Sequence, residues 1–270
     1  MEKKDYFNKN LVFYSNCQGG LGINRFLCSK INFKKVIYIE TFSTIWNKKD
    51  IPRDVLMEAD LFIYQPINKK YGKYSTDESI QNNILTYLKK DCIKISFPYI
   101  YFACLFPLYY ANDAAEIDGG SSYDNSKIVN RDVILKLKEK YSSQEIISLY
   151  DTFQIDFNFK NRYENTIKRI KEKEKICDIE ITPLFTIENI KSIKLMHTNN
   201  HPTNFVFKYI TNKILEILNL PIYSFYEFKE EVLTGNNYSK YSYNYFNFKW
   251  LKPEDCCECM YKNLLNNLLN

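Results

Sequence analysis

Only two histidines occur in the 270 residues, and both lie in "HTNNHPTN", as His197 and His201. Imidazole titrates near neutral pH and can take a proton from a hydroxyl or a thiol. Far upstream, "LVFYSNCQGG" drives an apolar run into Ser15, Asn16, Cys17, Gln18, Gly19 and Gly20. A thiol at a helix N-terminus is biased towards thiolate, its nucleophilic form. Backbone N–H groups in such a turn can face a developing oxyanion. Gly19, Gly20 and Gly22 permit a tight turn and a close approach of backbone to ligand. Cys17 and His201 are therefore the candidate catalytic pair. His201 is preferred to His197 because Pro202 and the helix that follows hold it more firmly. Free cysteine is also a common core residue, and histidines also cap and pack, so a purely structural role stays open for each. The turn lacks G-x-G-x-x-G spacing and the Walker lysine, which makes it a poor match to nucleotide motifs.

The surrounding pattern shows what positions these groups. "LVFYS" (11–15), "KVIYIE" (35–40), "LFIYQ" (61–65) and "CIKIS" (92–96) read as short, nearly all-apolar strands of the buried parallel kind. Helical patterns at 21–31, 51–58 and 77–89 alternate with them, with Ser75 or Thr76 as a cap for the last. The alternation predicts an α/β fold, a parallel sheet with helices on its faces. Ligands in such folds collect at the carboxyl ends of the strands. Cys17 follows one such end and Gln65 closes another. "DGGSSYDNS" (118–126) reads as a loop. Helices are predicted at 130–141, 143–156 and 161–177, with Asn130 and Ser143 as N-caps and "SSQE" as a capping box. Ile167, Ile170 and Ile176 mark the apolar face of the third helix. The chain thus reads as a single domain, 1–270, with a helical insertion at about 118–180. A helix over 203–218, with Phe205, Tyr209, Ile210 and Ile214 towards the core, follows the histidines and ends before Pro221. Residues 235–250 read as irregular.

Composition narrows the function classes. The net charge of +5 is spread along the chain and arginine is scarce, which argues against nucleic acid and leaves room for an anionic ligand or an anionic lipid surface. "MEKKDYFNKN" lacks the apolar core of a signal peptide, so the reading is cytoplasmic with reduced thiols. The uncharged stretch Ile95–Ala111 is short for a membrane span and is interrupted by Pro98 and Pro107, which suits a buried strand and an aromatic loop. Cys256 and Cys259 have C-x-x-C spacing but no second ligand pair, so no metal is expected.

"SNCQ" after a first strand, "ISFPYIYFACLFP" in the middle and "NHPTN" before a late helix occur in that order over about 190 residues. Together they resemble the WcbI-type polysaccharide biosynthesis acetyltransferases. The resemblance implies an SGNH/GDSL-hydrolase-like, flavodoxin-like fold with extra helices. It also implies coenzyme A or acetyl-CoA as acyl donor and a hydroxyl of a capsular or surface saccharide as acceptor. Association with membrane-bound polysaccharide machinery would follow. Cys17 falls at that family's cysteine, with Asn16 and Gln18 beside it, and His201 and Pro202 fall at its His-Pro turn. Ser15 stands where the family favours glycine. Thr198 stands where an SGNH hydrolase carries aspartate, which argues against the alternative of a carbohydrate esterase. A non-catalytic carbohydrate-binding protein is the other alternative. Phe97, Tyr99, Tyr101, Phe102, Phe106, Tyr109 and Tyr110 are expected to line a groove for the sugar or the pantetheine arm.

Overall fold

The structure, a computed structural model, describes residues 4–108, 131–223, 233 and 235–270. Four parallel strands form one sheet in the order β2-β1-β3-β4. They are β1 (Lys4–Ser15), β2 (Ile31–Glu40), β3 (Leu61–Tyr64) and β4 (Ile93–Ser96). All four predicted strands are present. Register aligns Ser15 with Glu40, Tyr14 with Tyr64, and Tyr64 with Ser96, so the carboxyl ends lie level. The chain passes from β1 to β2 on one side and then crosses back to β3 on the other side of β1. That reversal places a ligand crevice beyond β1 and β3.

Successive residues of β1 face opposite sides of the sheet, and both sides are buried. Leu11 and Phe13 pack with Leu61, Ile63, Ile95 and Phe97 in the larger core. That core includes α1 (Asn24–Lys30) and the helix that follows the histidines. Val12 and Tyr14 pack with Ile39, Phe62, Leu56 and Ile84 in a second, smaller core. Burial on both faces is why these strands read as continuous apolar runs rather than as alternation.

On the smaller side, α2 (Thr41–Trp46) and α3 (Arg53–Met57) are short. The helix predicted at 77–89 is absent. Asp77 Oδ1 accepts from Ser79 N at 2.9 Å, Asn83 Oδ1 accepts from Leu85 N at 2.8 Å, and Asn82 has φ 61°. These side chains offer the backbone local alternatives to helix, and a single 3₁₀ turn, Ile84–Tyr87, is what remains. Ser75 Oγ accepts from Asp77 N, a turn rather than a helix cap.

The remaining α-helices among the described residues are α4 (Arg131–Lys138), α5 (Ser143–Asp151), α6 (Phe159–Glu174), α7 (Ile187–Ser192), α8 (Asn204–Ile217), α9 (Lys240–Phe246) and α10 (Glu258–Leu269). The capping box read in "SSQE" is present on Ser142 and Glu145, and the N-cap of α5 is therefore Ser142 rather than Ser143. Ile170 is buried, but Ile176 lies beyond the end of α6 and is 69% exposed. The stretch 235–250 is not irregular throughout: Ser239 Oγ accepts from Ser242 N and caps α9. The loop read at 118–126, the cap at Asn130, and Tyr109 and Tyr110 lie outside the described residues. Among the described residues no helix is long and apolar enough to cross a membrane. The aromatic stretch leaves β4 as buried chain, and Arg162 of α6 closes it by donating to the carbonyls of Ala103, Phe106 and Pro107 at 3.0–3.2 Å.

Asp60 ties the other end of the sheet. Its carboxylate accepts from Lys89 Nζ at 2.6 Å, Lys9 Nζ at 3.2 Å and Asn10 N at 2.7 Å. Burial pushes its pKa up, but these bonds outweigh burial and leave it below the usual value. A depressed folded pKa stabilises the fold above the unfolded value, about 4, and the gain is lost as pH falls through the folded value. Urea midpoints of wild type and Asp60→Asn should therefore differ most near neutral pH and converge as pH falls through the folded value. A difference independent of pH would rule this linkage out.

Candidate active site

Gln18 joins three segments that sequence holds far apart. Its Nε2 donates to the Ile100 carbonyl at 2.8 Å and to the Asn200 carbonyl at 2.9 Å. Its Oε1 accepts from Ile100 N at 3.0 Å and Gln65 Nε2 at 3.2 Å. Gln65 Oε1 in turn accepts from Asn16 N at 2.9 Å. Gln18 is wholly buried and Gln65 is 1% exposed, so each amide must be satisfied inside the protein. Cys17 and His201 are the immediate neighbours of the two residues that meet in the Gln18–Asn200 bond. The carboxyl end of β1, the end of β3, the aromatic loop and the histidine loop thus converge on one node.

The histidine loop is closed at its neck. His197 N donates to the His201 carbonyl at 2.7 Å, and Thr203 N donates to the Leu195 carbonyl at 3.0 Å. Met196 and Pro202 form an antiparallel bridge. At its tip, Phe102 N donates to the Asn199 carbonyl at 2.6 Å, and Asn199 Nδ2 donates to the Tyr101 hydroxyl at 2.8 Å. His197 is 5% exposed and its Nδ1 lies 3.1 Å from the Gly235 carbonyl, so that nitrogen carries the proton. Gly235 has φ 139°, and a Cβ there would stand 2.7 Å from the Thr198 methyl, so only glycine fits. His197 is therefore a buried anchor of the loop that presents His201, which is half-buried.

The cysteine turn differs from expectation in two respects. The chain runs from Gln18 to Ile23 as a π-helix before α1 begins, a form of backbone found often at functional sites. Its first N–H groups are already engaged: Gln18 N donates to Asn16 Oδ1 at 2.9 Å, and Gly19 N and Gly20 N donate to the Asn16 carbonyl at 3.1 and 3.3 Å. They do not form an open oxyanion cradle. The glycines serve packing instead. A Cβ on Gly19 would strike Ser15 Oγ at 2.1 Å, one on Gly20 would strike the Tyr38 ring at 2.4 Å, and one on Gly22 would strike Phe207 at 2.4 Å. Ser15 is fully buried and its Oγ donates to the Asn16 carbonyl at 3.1 Å.

The second difference is electrostatic. Burial, and then the nearby Glu40 carboxylate, push the Cys17 thiol up, while the N–H groups of Cys17 and Gln18 pull it down less strongly. The expected thiolate bias is reversed. Glu40 was not singled out in the sequence, although a carboxylate closing a strand beside the cysteine's strand is a readable signal. Its carboxylate accepts from Phe42 N and Ser43 N and caps α2. Beside it, Thr41 Oγ1 and Tyr38 Oη are buried without a hydrogen-bond partner among the described residues.

The aromatic stretch divides. Phe97, Phe102 and Phe106 are fully buried in the main core and line no groove. Tyr99 and Tyr101 form a separate small cluster with Ala103, their ring centres 6.3 Å apart. Among the described residues no group of three or more His, Cys, Asp or Glu side chains could hold a metal ion. Cys256, Cys257 and Cys259 are free thiols, and Cys257 Sγ meets the Asn236 carbonyl.

The sequence pattern of the family described as "Polysaccharide biosynthesis enzyme WcbI" matches residues 10–222. No curated protein matches the chain. A solved structure of WcbI, described as a polysaccharide biosynthesis enzyme in its native form without a disulfide bond between coenzyme A and one of its cysteines, is similar in fold. It superposes with a TM-score of 0.69 at 15% identity, covering 97% of this chain and 90% of its own.

Gln18→Leu keeps the volume but strands the polar groups of Ile100 and Asn200, so it should cost roughly 3–6 kcal/mol in urea unfolding. A loss under about 1 kcal/mol would show that the node is dispensable. For Cys17, the alkylation rate should reach half its maximum above the ordinary thiol pKa of about 8.5. Glu40→Gln should move that profile down. An unmoved profile would show that Glu40 is not a cause.

Proposed function

The chain belongs to the WcbI family of polysaccharide biosynthesis enzymes, and from that membership we propose that it moves an acyl group, acetyl in the simplest case, from coenzyme A to a saccharide hydroxyl. The observation that carries this reading is the Gln18–Asn200 bond, which brings the cysteine turn and the histidine loop together at the crevice end of the sheet. The solved relative is described as the native form without a disulfide bond between coenzyme A and one of its cysteines. Cys17, next to this node, is the thiol we assign to the donor's sulfur end. Thr41 Oγ1 and Tyr38 Oη supply buried polar groups for a ligand beside it. The strand order 2-1-3-4 supports the flavodoxin-like arrangement that SGNH hydrolases share.

A thiol held protonated favours direct transfer over a cysteine-bound intermediate. His201 takes the proton from the acceptor hydroxyl as its oxygen attacks the thioester carbon. The carbon–sulfur bond breaks, and the departing coenzyme A thiolate takes the proton back from the imidazolium. Cys17 shapes the pocket around the thioester, and a neutral S–H there adds no repulsion to the forming oxyanion.

Native mass spectrometry should detect a coenzyme A complex, and acetyl-CoA with a saccharide acceptor should release free thiol. His201→Ala should slow that release on the order of 10²–10⁴-fold, while Cys17→Ala leaves measurable turnover. Brief mixing with acetyl-CoA and no acceptor should leave the intact mass unchanged. A mass gain that Cys17→Ala abolishes would replace direct transfer with a covalent route. Absence of any coenzyme A complex would end the transferase reading.

A further inference from the structure

Three thiols fall where the chain turns into α10: Cys256, Cys257 and Cys259. All are free, and none has a part in the mechanism above. Cys256 and Cys259 have the spacing of a dithiol that opens and closes as a disulfide. Cys259 is exposed and Cys256 is half-buried. Glu258 N donates to the Cys256 carbonyl at 3.0 Å, so the chain folds back at Cys257. A disulfide tolerates Cα atoms up to about 7 Å apart, and this fold-back shortens the span from Cys256 to Cys259 towards that reach. The thiol between them is engaged elsewhere: Cys257 Sγ donates to the Asn236 carbonyl.

Residues 235–238 form a strap that bonds to both the cysteine turn and the histidine loop. Towards the cysteines, Cys257 N donates to the Tyr238 carbonyl at 2.8 Å, and Asn236 Nδ2 donates to the Asp255 carbonyl at 2.9 Å. Towards the histidines, the Gly235 carbonyl lies 3.1 Å from His197 Nδ1, and Asn237 N donates to the His197 carbonyl at 3.3 Å. The Tyr238 hydroxyl donates to the Met196 carbonyl at 2.6 Å. His197 N in turn holds the His201 carbonyl. A shift of the cysteine turn is therefore felt at His201 through one short run of hydrogen bonds.

Resting on the role given above to the histidine loop, we propose that Cys256 and Cys259 are a thiol–disulfide exchange site whose state sets the grip of the strap on that loop. The reaction partner is a small disulfide of the oxidised glutathione type. Burial, and then the Glu258 carboxylate, push the Cys256 thiol up to about 11, so the first attack falls to the exposed Cys259. Its thiolate displaces one glutathione thiolate and forms a mixed disulfide. Cys256 then gives up its proton to water, and its sulfur displaces the second glutathione. Two protein thiols are oxidised, and one small disulfide is reduced to two thiols. Closing the bond draws Cys256 and Cys259 together across Cys257 and pulls Cys257 off the Asn236 carbonyl.

The test treats the full chain with oxidised glutathione, blocks the remaining thiols and maps the peptides by mass. A bridge between Cys256 and Cys259 should appear, and it should be absent from Cys259→Ser. Amide hydrogen exchange across residues 195–203 should quicken on the order of tenfold in the oxidised wild type and not in oxidised Cys259→Ser. Thiol release from acetyl-CoA should slow in the same comparison and recover with dithiothreitol. Because both samples meet the same oxidant, the comparison separates the bridge from any modification of Cys17. Cys259 is on the surface, and an unchanged melting temperature would confirm that its variant folds. A mixed disulfide that never closes, a bridge to Cys257 instead, or a bridge that leaves exchange in the histidine loop unchanged would each overturn the proposal. A bridge with faster exchange, in a chain whose reduced form transfers no acyl group, would keep the exchange site and end the transferase reading.

Discussion

The buried side-chain amide of Gln18 is the constraint on which the site depends. A primary amide inside a protein must place both its donors and its oxygen, and here they meet the aromatic loop, the histidine loop and Gln65 at once. Removing any one of the three segments would strand polar groups in a dry interior. The cost of an unmet buried hydrogen bond makes the arrangement cooperative. Cys17 and His201 are each adjacent in sequence to a residue of the node, Gln18 and Asn200.

The electrostatics follow from that burial. A cysteine at the start of a helix is expected to be acidic because N–H groups face it, and those of Cys17 and Gln18 do lower its pKa. Burial and Glu40 act in the other sense and prevail. Glu40 stands there because it closes β2, whose register sets it beside Ser15, and because the first N–H groups of α2 hold its carboxylate. The carboxylate that caps α2 thus adds to burial in raising the thiol that follows the neighbouring strand, β1.

Close packing holds this geometry in place. The π-helical turn approaches β1 and β2 only because Gly19 and Gly20 have no side chain, and Ser15, Phe97 and the Tyr38 ring occupy that space. On the far side of the histidine loop, Gly235 plays the matching part and gives its carbonyl to His197. Arg162, buried and held by three carbonyls, closes the aromatic loop that meets Gln18. Loops that carry polar groups inside a protein need such partners, because water is not there to supply them.

Much of the fold was legible in the sequence, because buried parallel strands are short apolar runs and both faces of this sheet are covered. β1 to β4, the capping box of α5 and α8 were all readable from local pattern. The false helix at 77–89 arose because apolar spacing hid the competition of Asp77, Asn82 and Asn83 for the backbone. The helices α7, α9 and α10 stayed unread because they are held by aromatic and aliphatic contacts across the fold rather than by strong local signals. For the candidate site, residue types and their place at strand ends were enough to single out Cys17, Gln18, Gln65, His197 and His201. Tertiary structure alone decided their relations: that Gln18 is the tie, that His197 is an anchor, that the glycines serve packing, and that Cys17 is held protonated. Each of those depends on groups distant in sequence, and hydrogen bonding and burial across such distances leave no mark in local spacing.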